Sequence, residues 1–193
     1  MEHILEYPFD AEQIIKKKKS IRKYLLEREG CSYIDKNIAV LGGSTTNVLV
    51  NILELFLLRY GIKPHFYESE YNMYYEDGMF PNPRLEAFRP DLIYIHTSYR
   101  NIVEYPVISD REEDVDRKCR LTYEKFEGLW EHTADTYHCP IIQNNFELPF
   151  YRVMGSREAS DFRGSIHFVN ELNRLFYKYV SSHENIFIHD IAF

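Results

Sequence analysis

The chain has 193 residues, 45% of them hydrophobic and 27% charged, which suits one folded domain with a real core and excludes a disordered chain. Its formal net charge of -7 speaks against a nucleic-acid or anionic-membrane partner, since both attract a basic field. Cys31, Cys119 and Cys139 are widely spaced and form no Cys-x-x-Cys pair, which excludes a zinc knuckle or a disulfide framework and fits a reducing cytoplasmic setting. The first residues carry Glu2 and Glu6 where a signal peptide carries positive charge, and no apolar run approaches the ~20 residues of a membrane span.

In chain order, residues 10–29 read as a helix capped by Asp10, with Ile14, Ile21, Tyr24 and Leu25 on one stripe. The lysines at 16–19 lie on its solvated face. Residues 1–36 are therefore taken as a helical extension and 37–193 as the main domain. Strands are expected at 37–41, 63–69, 91–97, 140–145 and 185–193. Helices are expected at 47–61, 83–90, 111–139 and 164–184, and residues 70–83 form a loop with a helical turn. Acids crowd the start of the helix at 111–139, where the dipole favours them.

Short apolar strands separated by helices predict a three-layer α/β/α sandwich around a five-stranded parallel sheet. The last expected strand has no covering helix after it, so a partner or a further segment is expected to cover it, and the chain reads as the N-terminal part of a longer protein.

In such a sheet, ligands sit beyond the carboxyl ends of the strands. Five polar stretches end there: Gly42–Thr46, Glu68–Asn72, Thr97–Asn101, Asn144–Glu147 and His189–Asp190. Gly42 and Gly43 permit a tight turn, and the helix after Thr46 directs free amides back at the loop. Ser44 is thus either a helix cap or a nucleophile facing an oxyanion site. The amides of Asn101 and Asn145 either bind a carbonyl or close loop turns. Glu68 suits a base or a polar-ligand contact, and equally a wet strand end. Arg100, Arg152 and Arg157 suit an acidic ligand, and equally surface ion pairs. His96, inside a strand, is read as a hydrogen-bonded core residue. No metal-binding spacing is present, so neither a metal nor a cofactor is expected.

The stretch IAVLGGSTTNVLVNILELFLLRYGIKPHFYESEYNMYYEDGMF, with LEAFRPDLIYI, PIIQNNFELPFYRVMGS and NIFIHDIAF, resembles the N-terminal region of FkbH-like proteins, subfamily IIIC of the haloacid-dehalogenase superfamily. The resemblance spans residues 37–193. It implies an SGNH/GDSL-hydrolase (flavodoxin-like) sandwich followed by a phosphatase-like domain, in proteins that load a glyceryl unit onto a carrier protein. Carried over residue by residue, Ser44 matches the SGNH nucleophile, although Gly-Asp-Ser is here Gly-Gly-Ser. Asn101 matches the oxyanion asparagine, without the usual Gly-x-Asn-Asp. The Asp-x-x-His block is absent, which leaves His189 as the base within this chain, and the haloacid-dehalogenase Asp-x-Asp is absent too.

Two readings result. In one, Ser44, Asn101 and His189 make a serine esterase or acyl-transfer site, with Gly43, Thr45, Glu68, Asn72, Asn145 and Arg152 contacting the ligand. In the other, the domain is accessory: it binds an acyl or glyceryl ligand or an acyl carrier protein for a following phosphatase-like domain, with the tyrosine-rich stretch 67–80 as its surface. A flavodoxin-like cofactor module, with a phosphate on Ser44–Thr46, is a third reading.

Overall fold

The computed structural model describes residues 2–192. Helix α1 (Ala11–Leu26) begins where the Asp10 side chain accepts from the Gln13 amide at 2.9 Å. It buries Ile14, Ile21 and Leu25 against Leu55 and Leu58 of α2 (Asn47–Arg59), with Ile4 and Leu5 closing the cluster. The remaining elements are β1 (Ile34–Gly42), β2 (Ile62–Glu68), α3 (Tyr74–Met79), α4 (Pro83–Phe88), β3 (Leu92–His96), α5 (Glu112–Tyr137), β4 (Ile141–Asn144), α6 (Ser165–Val180) and β5 (Ile186–His189).

The five strands form one sheet in the order β2-β1-β3-β4-β5, and every recorded pairing is parallel. Side chains alternate between its faces. Ala39, Leu41, Ile93, Ile95, Ile141 and Ile186 join the large core under α3, α5 and α6, around Phe126, Trp130, Phe146 and Phe176. Ile38, Val40 and Tyr94 face Val50 of α2. The expected three-layer α/β/α sandwich with a five-stranded parallel sheet is therefore present. No helix among the described residues is long and apolar enough to cross a membrane.

Two strand boundaries differ from expectation by more than one residue, each for a physical reason. Strand β1 starts at Ile34 rather than 37, because Ile34–Asn37 pair with Ile62–His65 although their side chains are exposed or half-buried. A reading that relies on apolar runs overlooks such a solvated lead-in. Strand β5 stops at His189, because the Ile191 amide donates to Asn145 Oδ1 at 2.7 Å and the Ala192 amide to Asp190 Oδ1 at 3.1 Å. These bonds pull the backbone off the ladder. Phe193, the end of the expected strand, lies outside the described residues.

On the α2 side the sheet is covered unevenly. Helix α2 lies over β1 and β2, while Phe187 of β5 is 52% exposed and Ile142 of β4 is half-buried. His96, Asn144 and His189 lie on this same face, at the carboxyl ends of their strands.

Candidate functional site

The strand order reverses between β1 and β3, which places the Gly42–Thr46 loop at the position where open parallel sheets hold ligands. The local bonding, however, closes this loop on itself. The Gly42 amide donates to Ser69 Oγ at 2.7 Å and the Gly43 amide donates to the His96 carbonyl at 2.8 Å. A β-carbon on Gly42 would meet Thr46 Cγ2 at 2.6 Å, and one on Gly43 would meet the Asn101 amide group at 2.5 Å. The two glycines are thus required by protein packing rather than by the approach of a ligand. Thr46 is the N-cap of α2 and makes no side-chain cap bond, because its hydroxyl donates to Glu68 Oε2 at 2.8 Å. Ser44 is half-buried and Thr45 exposed, and no hydrogen bond links Ser44 Oγ to a histidine among the described residues.

Asn101 does not offer an oxyanion donor. Its Nδ2 donates to the Gly43 carbonyl at 2.9 Å and to Asn72 Oδ1 at 3.0 Å, and its Oδ1 accepts from the Ser98 amide at 2.9 Å. Both N–H groups are committed, so Asn101 ties the loop after β3 to the loop after β1. Asn72, at φ 60, receives that bond. His189 lies three strands from β1 in the sheet, about 14 Å at ordinary strand spacing, and cannot serve Ser44 as base. Asn145 is fully buried; its Nδ2 donates to Tyr177 Oη at 2.7 Å and Asp190 Oδ1 at 2.6 Å. It anchors the segment after β5 and has no N–H left for a ligand. Arg152 is exposed and lies between Tyr151 and Val153.

A second cluster brings together residues far apart in sequence. Tyr94 Oη donates to Asn144 Oδ1 at 2.7 Å and lies 2.9 Å from His189 Nδ1 and 3.3 Å from His96 Nδ1. Asn144 Nδ2 donates to the Thr97 carbonyl at 3.1 Å and reaches His96 Nδ1 at 2.8 Å. Beneath it, buried Gln143 accepts from Trp130 Nε1 at 3.1 Å and donates to Thr97 Oγ1 at 2.8 Å. Burial pushes the His96 imidazole below its ordinary value and the Tyr94 phenol up to about 12, so both groups stay neutral at pH 7.

A largely apolar cavity lies elsewhere, between the loops after β3 and β4. It holds about 670 Å3 and is lined mainly by apolar side chains, among them Tyr99, Tyr105, Ile108, Tyr151, Val153 and Met154. Glu158 and Arg163 mark its polar end, and both are already engaged. Burial pushes the Glu158 carboxyl up, but bonds from Ser165 and the Met154 amide, with the charge of Arg152, outweigh this and hold it below the ordinary value. Arg163 donates to Asp161 Oδ1 at 2.9 Å and to the Ile108 carbonyl at 2.9 Å; it brings Asp161 down to about 2. The polar groups therefore fix the loops, and the space they frame is left to apolar contact. Sequence reasoning missed this cavity, since its lining residues follow neither a helix nor a strand period.

The family model described as FkbH, N-terminal domain, matches residues 37–193. No curated protein sequence matches the chain. Among solved structures, the chain is similar to the N-terminal part of the protein BF1531 from Bacteroides fragilis, described as containing a phosphatase domain complexed with Mg. The TM-score is 0.74 at 17% identity, over 91% of this chain and 45% of that one. The likeness is one of fold, and the chain spans less than half the length of that structure. These findings, with the bonding around Ser44, overturn the SGNH/GDSL-hydrolase assignment and the serine esterase or acyl-transfer reading built on Ser44, Asn101 and His189.

Proposed function

The chain belongs to the FkbH N-terminal domain family, and from that premise we propose that it is a ligand-holding unit working beside a phosphatase-type domain. The observation that carries this reading is the cavity between the loops after β3 and β4, whose lining suits an acyl chain better than a bare glyceryl unit. Its position at the carboxyl edge of a parallel sheet supports it too. The described phosphatase domain of the Bacteroides fragilis protein supports the neighbour, since this chain accounts for less than half of that structure.

In this reading the acyl group arrives on a carrier protein. Exposed Arg100 and Arg152 stand on the two loops that frame the cavity and would meet a phosphorylated tether. A cytoplasmic setting belongs to the same proposal, in line with three free cysteines.

The magnesium named for the Bacteroides fragilis protein finds no matching ligand set here. Among the described residues no three His, Cys, Asp or Glu side chains gather in a way that could hold a metal ion. Glu68, at the end of β2, accepts from Thr46 of the loop after β1 instead.

Calorimetric titration with octanoyl-N-acetylcysteamine, a short acyl thioester, tests the proposal. Saturable binding is expected, weakened at least about tenfold, or roughly 1.4 kcal/mol, by Ile108→Glu or Val153→Glu. Both side chains are exposed at the cavity wall, so the substitutions leave the core untouched. Binding that survives both substitutions would count against the cavity as the ligand site.

A further inference from the structure

The hydrogen bonds around Asn144 decide where the protons of two histidines sit. Asn144 Nδ2 donates to the Thr97 carbonyl, which fixes the orientation of the amide. The second N–H of that amide points at His96 Nδ1, which must then be a bare acceptor. Neutral His96 accordingly carries its proton on Nε2. Tyr94 gives its only proton to Asn144 Oδ1, so its oxygen accepts from His189 Nδ1. His189 Nδ1 also lies 3.2 Å from Asn144 Oδ1, which is a second acceptor within reach of an N–H there. His189 is thereby fixed with its proton on Nδ1 and a bare lone pair on Nε2.

Both rings pack against Tyr94, with centroids 5.7 and 5.9 Å from its own. Neither Nε2 has a hydrogen-bond partner among the described residues. His96 is half-buried and His189 exposed, both on the face of the sheet that α2 leaves open. One outward nitrogen donates and the other accepts.

We propose that His96 and His189 take the hydroxyl group of a ligand at the open ends of β3 and β5, His189 Nε2 accepting its proton in a hydrogen bond and His96 Nε2–H donating to its oxygen. Tyr94 and Asn144 are positioning residues, holding the two tautomers. A hydroxyl is the simplest group that satisfies both nitrogens at once. An oxyanion fits less well, because His96 is kept neutral by burial and Glu147 adds a negative charge close by. A metal ion fits poorly as well, since only one lone pair faces outward. The site does not depend on the acyl-binding proposal, for it lies on different residues from the cavity.

Nitrogen-15 NMR of the histidine-labelled chain tests this at about pH 8, above the ordinary histidine range. The expected spectrum shows His189 in the Nδ1–H form and His96 in the Nε2–H form. Ethanediol, as hydroxyl probe, should shift the Nε2 signals of both, while sulfate, as anion probe, should not. In Tyr94→Phe, which removes the nearer of the two acceptors of His189 Nδ1–H, the Nδ1–H fraction of His189 and its response to ethanediol should both fall, with the remaining histidines unchanged as evidence of folding. His189 found in the Nε2–H form in the unsubstituted chain would overturn the proposal, as would a response to sulfate alone or to neither probe.

Discussion

Gly43 shows how a residue chosen for packing can look like a residue chosen for chemistry. Its missing β-carbon makes room for Asn101, whose amide is held by three hydrogen bonds and cannot swing aside. Gly43→Ala should therefore cost about 1–3 kcal/mol of stability, measured by urea unfolding. Ser44→Ala should change neither stability nor acyl binding by more than about 0.5 kcal/mol. A fluorophosphonate probe should leave Ser44 unlabelled in the folded chain, because no base reaches it; stoichiometric labelling there would restore the nucleophile.

Asp161 carries an acid-sensitive prediction at the same scale. Arg163 holds its carboxyl at about 2, against an ordinary value of 3.8. A depressed folded value means that the ionised form stabilises the native state. That contribution is present above pH 3.8 and is lost as pH falls toward about 2. Asp161→Asn should lower the urea midpoint at neutral pH, and its curve should converge with that of the unsubstituted chain at the acid end. Parallel curves down to pH 2 would show that the pair with Arg163 does not couple to folding.

At the scale of elements, α1 is held by an apolar seam and not by its lysines. Ile21 is fully buried between α1 and α2, and Ile21→Ala should cost about 2–5 kcal/mol. Replacing Lys16–Lys19 by glutamine should move stability by no more than about 0.5 kcal/mol, since three of the four are exposed and the fourth is half-buried.

The elements most legible in the sequence were those with a strong period or a clear start or stop: α1 with Asp10, α4 ahead of Pro90, and β3 as the run Leu92–His96. The end of β5 was not legible, because Asn145, far off in sequence, supplies the bond that draws Ile191 off the ladder. The solvated start of β1 escaped for the opposite reason, since it has pairing without burial.

At the scale of the whole molecule, the alternation of strand and helix was enough to predict the layers, but not which loops would meet. The cavity joins Tyr99 and Tyr105 to Tyr151 and Met154 across two irregular segments. The histidine pair joins residues 94 and 96 to 144 and 189 only because β3, β4 and β5 are neighbours. Among the polar residues at the strand ends, Asn101 and Asn145 act as braces, with every amide N–H committed within the protein.

The proposed acyl ligand sits between the loops after β3 and β4 and is held there without being hydrolysed. Photo-crosslinking with a diazirine-bearing octanoyl thioester, followed by peptide mapping, tests it most directly. The account predicts adducts on the segments around Tyr105–Ser109 and Pro149–Met154, with the thioester intact. Adducts confined to the Gly42–Thr46 loop, or thiol release that depends on Ser44, would contradict it.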